Sequence, residues 1–315
     1  MTTRLQQAAD VDEGLVVAAH GRHCVVESPD GERRICTPRG KKSQAVVGDR
    51  VLWQAPTPGQ GDTGTVEKVV ERRNLFYRQD ELRTKSFAAN LDQILMLVAA
   101  EPEFSAMQLS RALIAAEAAR IVAIVGINKS DLVEPFDKAW ERLLPYRRMK
   151  YGVLPLSLTA SPDADHEELT KLLRGKTTLV LGPSGAGKST LINLMVPGAS
   201  AQTGEISQAL NSGKHTTTST SFYWVPDADA PPRSTGLIDS PGFQEFGLYH
   251  LEPPQLAACM PDIAAHATEC RFYNCSHLHE PGCGVRAALE QGEIDAHRYK
   301  IYTELHAELS EPKRY

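Results

Sequence analysis

No stretch of eighteen consecutive apolar residues occurs in the 315-residue chain, which argues against a membrane-spanning helix. The N-terminus lacks the basic-then-apolar pattern of a secretory leader, and the expected setting is the cytoplasm, with no membrane partner. Cysteine is scarce: six thiols in a chain of this length and setting do not make a disulfide framework. Net charge is also modest, formally −5. What is present is a 42% hydrophobic fraction, enough for packed cores, and a length that exceeds one typical domain.

The densest chemistry lies in Gly182-Pro183-Ser184-Gly185-Ala186-Gly187-Lys188-Ser189-Thr190. Lys176 to Leu181 reads as a buried strand and Thr190 to Met195 as the following helix, so the glycines fall at a strand-to-helix turn. There the backbone can wrap a polyphosphate with its N–H groups, and the helix N-terminus favours the anion. Lys188 is the expected partner of the β- and γ-phosphates, and the Ser189 hydroxyl a Mg²⁺ ligand.

A second apolar run, Ile121 to Ile127, delivers Asn128-Lys129-Ser130-Asp131 to a strand's C-terminal end. The Asp131 carboxylate can accept from guanine N1–H and the exocyclic amine, which adenine cannot offer. Lys129 is expected along the purine plane, with Asn128 tying this loop to the phosphate loop. Ser157 and Leu158, after Gly152 to Leu156, are candidates for a further base-contacting loop. Thr235 to Ile238 reads as a short strand ending in Asp239, and Asp239-Ser240-Pro241-Gly242 supplies a carboxylate for the Mg²⁺ shell and an N–H, from Gly242, for the γ-phosphate. Between these pieces lies Gly213-Lys214-His215-Thr216-Thr217-Thr218, from which Thr217 is the candidate third Mg²⁺ ligand.

The order of these motifs carries the most information. In ordinary GTPases the phosphate loop comes first, Asp-x-x-Gly next and Asn-Lys-x-Asp last; here Asn128 to Asp131 comes first and Asp239 last. Strands of a parallel sheet can be reconnected without moving the loops at their C-terminal ends. The expectation is therefore a circularly permuted α/β P-loop GTPase domain over residues 86–247. The glutamine that orients the attacking water in Ras-like enzymes is missing: Phe243 stands there and Gln244 is displaced by one. Slow intrinsic hydrolysis, accelerated by a partner, is expected. The catalytic group stays unassigned, with His215 a weak candidate. An ATP-driven P-loop enzyme is disfavoured by the absence of a Leu-Ser-Gly-Gly-Gln signature and by Asn128 to Asp131. An RNA-binding scaffold with incidental turnover is the other rival.

Flanking segments read as separate domains. Residues 1–13 are expected to be a flexible N-terminus. Five short strands within Gly14–Ala19, Cys24–Glu27, Arg34–Thr37, Val51–Trp53 and Gly64–Val70 suggest a small β-barrel over 14–78, with the OB-fold preferred. This segment carries eleven Lys and Arg against seven Asp and Glu, a net +4 in an acidic protein. Arg33, Arg34, Arg39, Lys41 and Lys42 are the candidate RNA contacts. Residues 248–315 hold Cys270-x4-Cys275-x-His277-x5-Cys283, the Cys₃His composition of a structural Zn²⁺ site. His279 is a rival for His277 by spacing. Helical spacing at Val285–Glu290 and Tyr299–Leu309 makes this a mostly helical zinc-binding domain. Cys24, Cys36 and Cys259 are expected to be ordinary buried thiols.

A barrel, a GTPase core beginning at Asn-Lys-x-Asp, Gly-x-His-Thr-Thr-Thr, Asp-Ser-Pro-Gly-Phe and the C-terminal Cys-x4-Cys-x-His-x5-Cys together resemble the ribosome small-subunit-dependent GTPase A family, from about residue 14 to the C-terminus. That resemblance implies a late-acting assembly factor that binds the small (30S) subunit and its 16S rRNA through barrel and zinc domain, hydrolysing GTP to GDP and phosphate when docked. It places GTP at Asn128 to Asp131 and Gly182 to Thr190, and zinc at Cys270, Cys275, His277 and Cys283. Nothing suggests an obligate dimer. The rotation would also set the Asp239 loop directly before the zinc domain, so that loss of the γ-phosphate could move a rigid body.

Overall fold

The computed structural model describes residues 11–40, 44–56, 61–80, 84–199, 220–240 and 246–311. Strands β1 (Asp12–His20), β2 (His23–Glu27), β3 (Arg33–Pro38), β4 (Arg50–Gln54) and β5 (Gly64–Val69) pair in the order β1-β2-β3-β5-β4, and β4 returns to β1 to close a barrel. Only β3 and β5 run parallel. This closed five-strand arrangement is the expected OB-fold. Alternation along the strands sends Val16, Val26, Val51, Trp53 and Val66 inward, together with the Cys24 and Cys36 thiols. Burial pushes Cys24 up to about 12 and Cys36 to about 11, so both are neutral packing groups.

After the barrel, β6 (Leu75–Gln79) and β7 (Thr84–Ala89) form a two-stranded ribbon. The core sheet follows: β8 (Gln93–Ala99), β9 (Val122–Asn128), β10 (Gly152–Pro155), β11 (Thr177–Leu181), β12 (Ser221–Trp224) and β13 (Gly236–Asp239), in the order β10-β9-β8-β11-β13-β12. All neighbours are parallel except the edge strand β12. Every residue of β8 is buried, because the central strand is covered on both faces. Helices α1 (Ala106–Ala118), α2 (Val133–Arg142) and α3 (Leu144–Arg148) contribute Leu109, Leu113, Ala139 and Tyr146 to one core. Helices α4 (Pro162–Leu173) and α5 (Lys188–Met195) supply Leu169, Leu173, Leu191 and Ile192 to a second.

The barrel is joined to this sheet. Ala18 of β1 pairs with Ser221 of β12, so the two sheets run into one another. Beside that bridge, buried Glu27 accepts from Trp224 Nε1 at 2.6 Å and from Arg33 Nε at 2.7 Å. Arg233 reaches across to the carbonyls of Pro29 and Asp30. A buried carboxylate with charge-assisted partners from both domains fixes their relative placement.

The C-terminal region comprises α6 (Pro253–Ala258), α7 (Pro261–Ala267), α8 (Gly284–Glu290) and α9 (Ala296–Ser310). Asp295 caps α9 by accepting from the His297 and Arg298 amides. Arg298 is buried, pairs with Asp262 at 2.8 and 3.1 Å, and donates to Ser110 Oγ of α1 at 2.7 Å, tying this region to the core. Phe246, the first described residue after 241–245, packs its ring on Phe76 and Phe87 of the ribbon at 5.5 and 5.7 Å. Its carbonyl accepts from Arg111, whose guanidinium also forms an ion pair with Glu308 of α9. Among the described residues, no helix is long and apolar enough to cross a membrane.

Candidate functional site

Because β9, β8, β11 and β13 run parallel side by side, the loops after β9, β11 and β13 emerge at one end of the sheet. The phosphate loop follows β11 as expected. Gly182 lies so close to β8 that a Cβ there would sit 2.3 Å from the Leu97 carbonyl oxygen. Gly187 has φ +97° and a Cβ position 2.2 Å from Asn128 Nδ2, so both conformation and space require glycine. The chain then enters α5, led by Lys188, Ser189 and Thr190. Pro183, Ser184 and Gly185 lie on its outer rim, with Ser184 and Gly185 exposed and Ala186 buried.

Asn128 donates from Nδ2 to the Ala186 carbonyl at 3.0 Å, and its Oδ1 accepts from the Leu158 amide at 3.2 Å. One buried side chain thereby joins the phosphate loop to both loops proposed to hold the base. Asp131 is exposed, and Ser157 Oγ donates to its Oδ1 at 2.7 Å. The remaining acceptor capacity suits the paired donors of a guanine edge. Ser130 N bonds the Leu156 carbonyl at 2.9 Å, and the Lys129 ammonium, at a residue with φ +63°, contacts the Glu101 carbonyl.

At the third corner, Lys188 Nζ forms an ion pair with Asp239 Oδ1. Cation and carboxylate therefore stand together at the phosphate end of the site. Asp165 was not anticipated from sequence: its Oδ2 accepts from Ser157 N at 2.6 Å and supports the loop carrying Ser157 and Leu158. Burial pushes its carboxyl upward while that hydrogen bond acts in the opposite sense. No motif spacing marks it, since its position on the first turn of α4 is an ordinary place for an acid. Thr217, His215, Gly242, Phe243 and Gln244 lie outside the described residues, as do Lys41 and Lys42.

Each of the three described arginines among the candidate RNA contacts has a glutamate partner: Arg33 with Glu27, Arg34 with Glu32, and Arg39 with Glu67, at 2.7, 2.8 and 2.7 Å. Arg34 and Arg39 expose their guanidinium groups, although Glu67 beside Arg39 is mostly covered, whereas Arg33 belongs to the domain junction.

In the C-terminal region Cys270, Cys275, His277 and Cys283 converge, with their ligand atoms within 4.8 Å of one another. His277 Nδ1 lies 3.4 Å from Cys270 Sγ and 3.6 Å from Cys283 Sγ, and those two sulfurs are 3.8 Å apart. Tetrahedral coordination with Zn–S bonds near 2.3 Å requires edges of about 3.8 Å, so the donor set fits such an ion. Burial, then hydrogen bonding with Cys283 and Cys270, pushes the Cys275 thiol up to about 12, and a cation is what would convert it to thiolate. Glu280 accepts from the amides of Ser276, Leu278 and His279 and from Ser276 Oγ. Burial works against its ionisation, yet these bonds hold its carboxyl well below the usual range. Tyr299 and Tyr302 donate to the His277 and Ser276 carbonyls at 2.7 and 2.8 Å, pinning the cluster to α9. Together these clamps fix the backbone around the Cys₃His cluster.

A phosphate loop, a guanine-type acceptor loop and an Asp-x-x-Gly carboxylate at one end of a parallel sheet, met in rotated chain order, define a circularly permuted P-loop GTPase. The same architecture recurs in solved structures: YloQ, a circularly permuted GTPase, is 27% identical with TM-score 0.68, covering 99% of this chain and all of that one. YjeQ from Thermotoga maritima is 29% identical with TM-score 0.70, covering 95% and 99% respectively. The RsgA GTPase family model matches residues 69–249, and the chain belongs to that family. Among curated relatives, the small ribosomal subunit biogenesis GTPase RsgA of Variovorax paradoxus (strain S110) is 70% identical, spanning 96% of this chain and 93% of the relative. The protein of the same name from Ralstonia pickettii (strain 12J) is 47% identical over 98% and 96%. The chain is accordingly a GTP hydrolase.

Proposed function

We propose that this chain binds the small ribosomal subunit and its 16S rRNA, assists late maturation of that subunit, and hydrolyses GTP to GDP and phosphate in response to docking. One observation carries the reading: a nucleotide site built on rotated strand order lies within a chain 70% identical, over 96% of its length, to a small ribosomal subunit biogenesis GTPase. In this reading residues 14–78 carry the RNA-binding barrel, 86–247 the GTPase core and 248–315 the zinc domain, and the protein acts as a cytoplasmic monomer.

Roles follow from chemistry. Asp131 and Ser157 select guanine, Lys129 lies along the purine, and Asn128 and Leu158 hold the two ends of the site in register. The Gly182 to Thr190 amides and Lys188 take the phosphates. Ser189, Asp239 and Thr217 supply oxygen ligands for Mg²⁺, which neutralises charge building on the phosphate oxygens. Gly242 reports the γ-phosphate. With phenylalanine where the water-orienting glutamine would stand, docking on the subunit supplies the group or the alignment that the glutamine would give. Exposed arginines of the barrel, with Lys41 and Lys42, face the rRNA backbone, exchanging glutamate for phosphate partners. The Cys₃His cluster holds one structural Zn²⁺.

GTP and ATP hydrolysis by the purified protein, alone and with isolated small subunits, large subunits or free RNA, tests the reading. GTP-selective stimulation by small subunits is expected. Equal slow turnover in every mixture would overturn subunit activation and favour a nucleotide-binding scaffold.

A further inference from the structure

Between the first two cysteines of the metal cluster the chain runs Arg271-Phe272-Tyr273-Asn274, and all four residues are exposed. Tyr273 is 102% exposed and Phe272 41%. Among the described residues they are the only aromatics in the class of exposed large apolar side chains; the others, Val11, Val122, Val133 and Leu144, are aliphatic. A fully solvated tyrosine contributes nothing to the core, and here it is presented on a rigid support. The loop is held at both ends by the cluster, by Arg271 N on the Gly282 carbonyl at 2.9 Å and by Cys275 N on the Phe272 carbonyl at 3.3 Å. Tyr299, Tyr302 and Glu280 clamp the segment that follows.

Charge at the tip has one sign. The Arg271 guanidinium lies 5.5 Å from the Phe272 ring centroid, and no carboxylate occurs from Cys270 to Cys275. Nearby Glu280 turns its carboxylate inward to four donors. Two aromatic faces, one guanidinium and the Asn274 amide, with the neighbouring Glu269 carboxylate 3.5 Å from His266 Nδ1, form a stacking platform for a base with an adjacent phosphate. An apolar protein groove would instead be expected to meet a wider aliphatic patch, and this tip has none beside it.

We propose that the Arg271–Asn274 tip binds an unpaired nucleobase of ribosomal RNA, with Tyr273 as the stacking face, Phe272 as the second face and Arg271 on the neighbouring phosphate. The assignment rests on the small-subunit reading above and adds to it a single-stranded element as the target of the zinc domain. In a duplex, stacking on the neighbouring base pairs already buries the face that Tyr273 needs, so duplex RNA is excluded from this tip.

The test uses the full-length, zinc-loaded protein with Tyr273→Ala, Tyr273→Leu, Tyr273→Trp and Phe272→Ala variants, each checked for zinc content. Binding to isolated small subunits in a non-hydrolysable GTP analogue is measured beside binding to a labelled single-stranded uridine oligomer and to an RNA duplex of equal length. Tyr273→Ala and Tyr273→Leu should weaken subunit and single-strand binding by about tenfold, Phe272→Ala by less, and Tyr273→Trp hardly at all, with duplex binding unchanged. Wild-type affinity of Tyr273→Ala for the single strand overturns the proposal. Loss of subunit binding with unchanged single-strand binding also overturns it, by assigning the tip to a ribosomal protein. If wild-type protein fails to bind subunits, the small-subunit reading falls, while the oligomer series still decides whether Tyr273 stacks on a base.

Discussion

Asn128 donates to the carbonyl of Ala186 at 3.0 Å across 58 positions of chain, and with its other amide atom accepts from Leu158. A single side chain therefore sets the distance between base and phosphate subsites in a protein whose motifs have exchanged order. Asn128→Ala leaves a buried carbonyl and a buried N–H without partners, at about 1–3 kcal/mol for each orphaned group. GDP affinity, followed by titration calorimetry, should fall by roughly ten- to a hundredfold. Far-UV circular dichroism should stay as in the wild type. Wild-type affinity would show that the bridge does not hold the site together.

Lys188 and Asp239 form the second relationship that nucleotide must rearrange. In the proposed GTP-bound form the ammonium serves the phosphates and the carboxylate the Mg²⁺ shell, so the pair and the ligand would compete for the same two groups. Asp239→Asn removes the competitor and the metal's anchor together. GDP binding in EDTA should hold or tighten, whereas the gain in GTP affinity on adding Mg²⁺ should shrink by about ten- to a hundredfold. A variant that kept the full Mg²⁺ effect would remove Asp239 from the metal shell.

Phe246 couples three bodies: its ring packs on Phe76 and Phe87, with the latter plane only 5° from parallel, and its carbonyl meets Arg111, which in turn pairs with Glu308. Phe246→Ala should lower unfolding free energy by about 3–5 kcal/mol, read by urea denaturation. If loss of γ-phosphate is transmitted to the C-terminal region, probes on α9 and on the barrel should report different distances with GTP and GDP. The same variant should flatten that difference. Identical distances in both nucleotide states of the wild type would remove the coupling.

The parts legible in sequence are those whose signal is local. Glycines 182, 185 and 187 sit in one motif, the barrel strands alternate between turn residues, and strand β11 precedes helix α5 as the phosphate loop demands. The β6–β7 ribbon escaped because Leu75–Gln79 and Thr84–Ala89 are short and mixed in polarity, and they straddle the gap between expected barrel and core. Glu27 and Trp224 were equally hidden: partners 197 positions apart leave no periodicity to detect. For Arg33, Arg34 and Arg39, sequence gave the charge but not the glutamates opposite them, which follow from strand register and loop closure.

Spacing alone left His277 and His279 as rivals, and the geometry separates them. His277 is buried with Nδ1 within 3.4 and 3.6 Å of two sulfurs, whereas His279 is exposed and its backbone N–H serves Glu280. His277→Ala should therefore lower zinc content, measured by colorimetric chelation after denaturation, while His279→Ala should retain about one ion per chain. With zinc on the cluster, folding of this segment and metal binding are linked, because the Cys275 thiol is unfavourable as a thiolate until a cation arrives. Cys275, with its pKa raised to about 12, is protonated at neutral pH without metal. Zinc uptake must then release protons, and apparent zinc affinity must fall as pH drops, a sign that calorimetry in buffers of different ionisation enthalpy will read directly. Chelation should melt the clamp around Ser276 and His277 before the GTPase core, lowering the thermal midpoint of the C-terminal region. A protein stripped of metal that unfolds at the wild-type temperature, with both histidine variants indistinguishable, would show that the cluster is not a structural metal site.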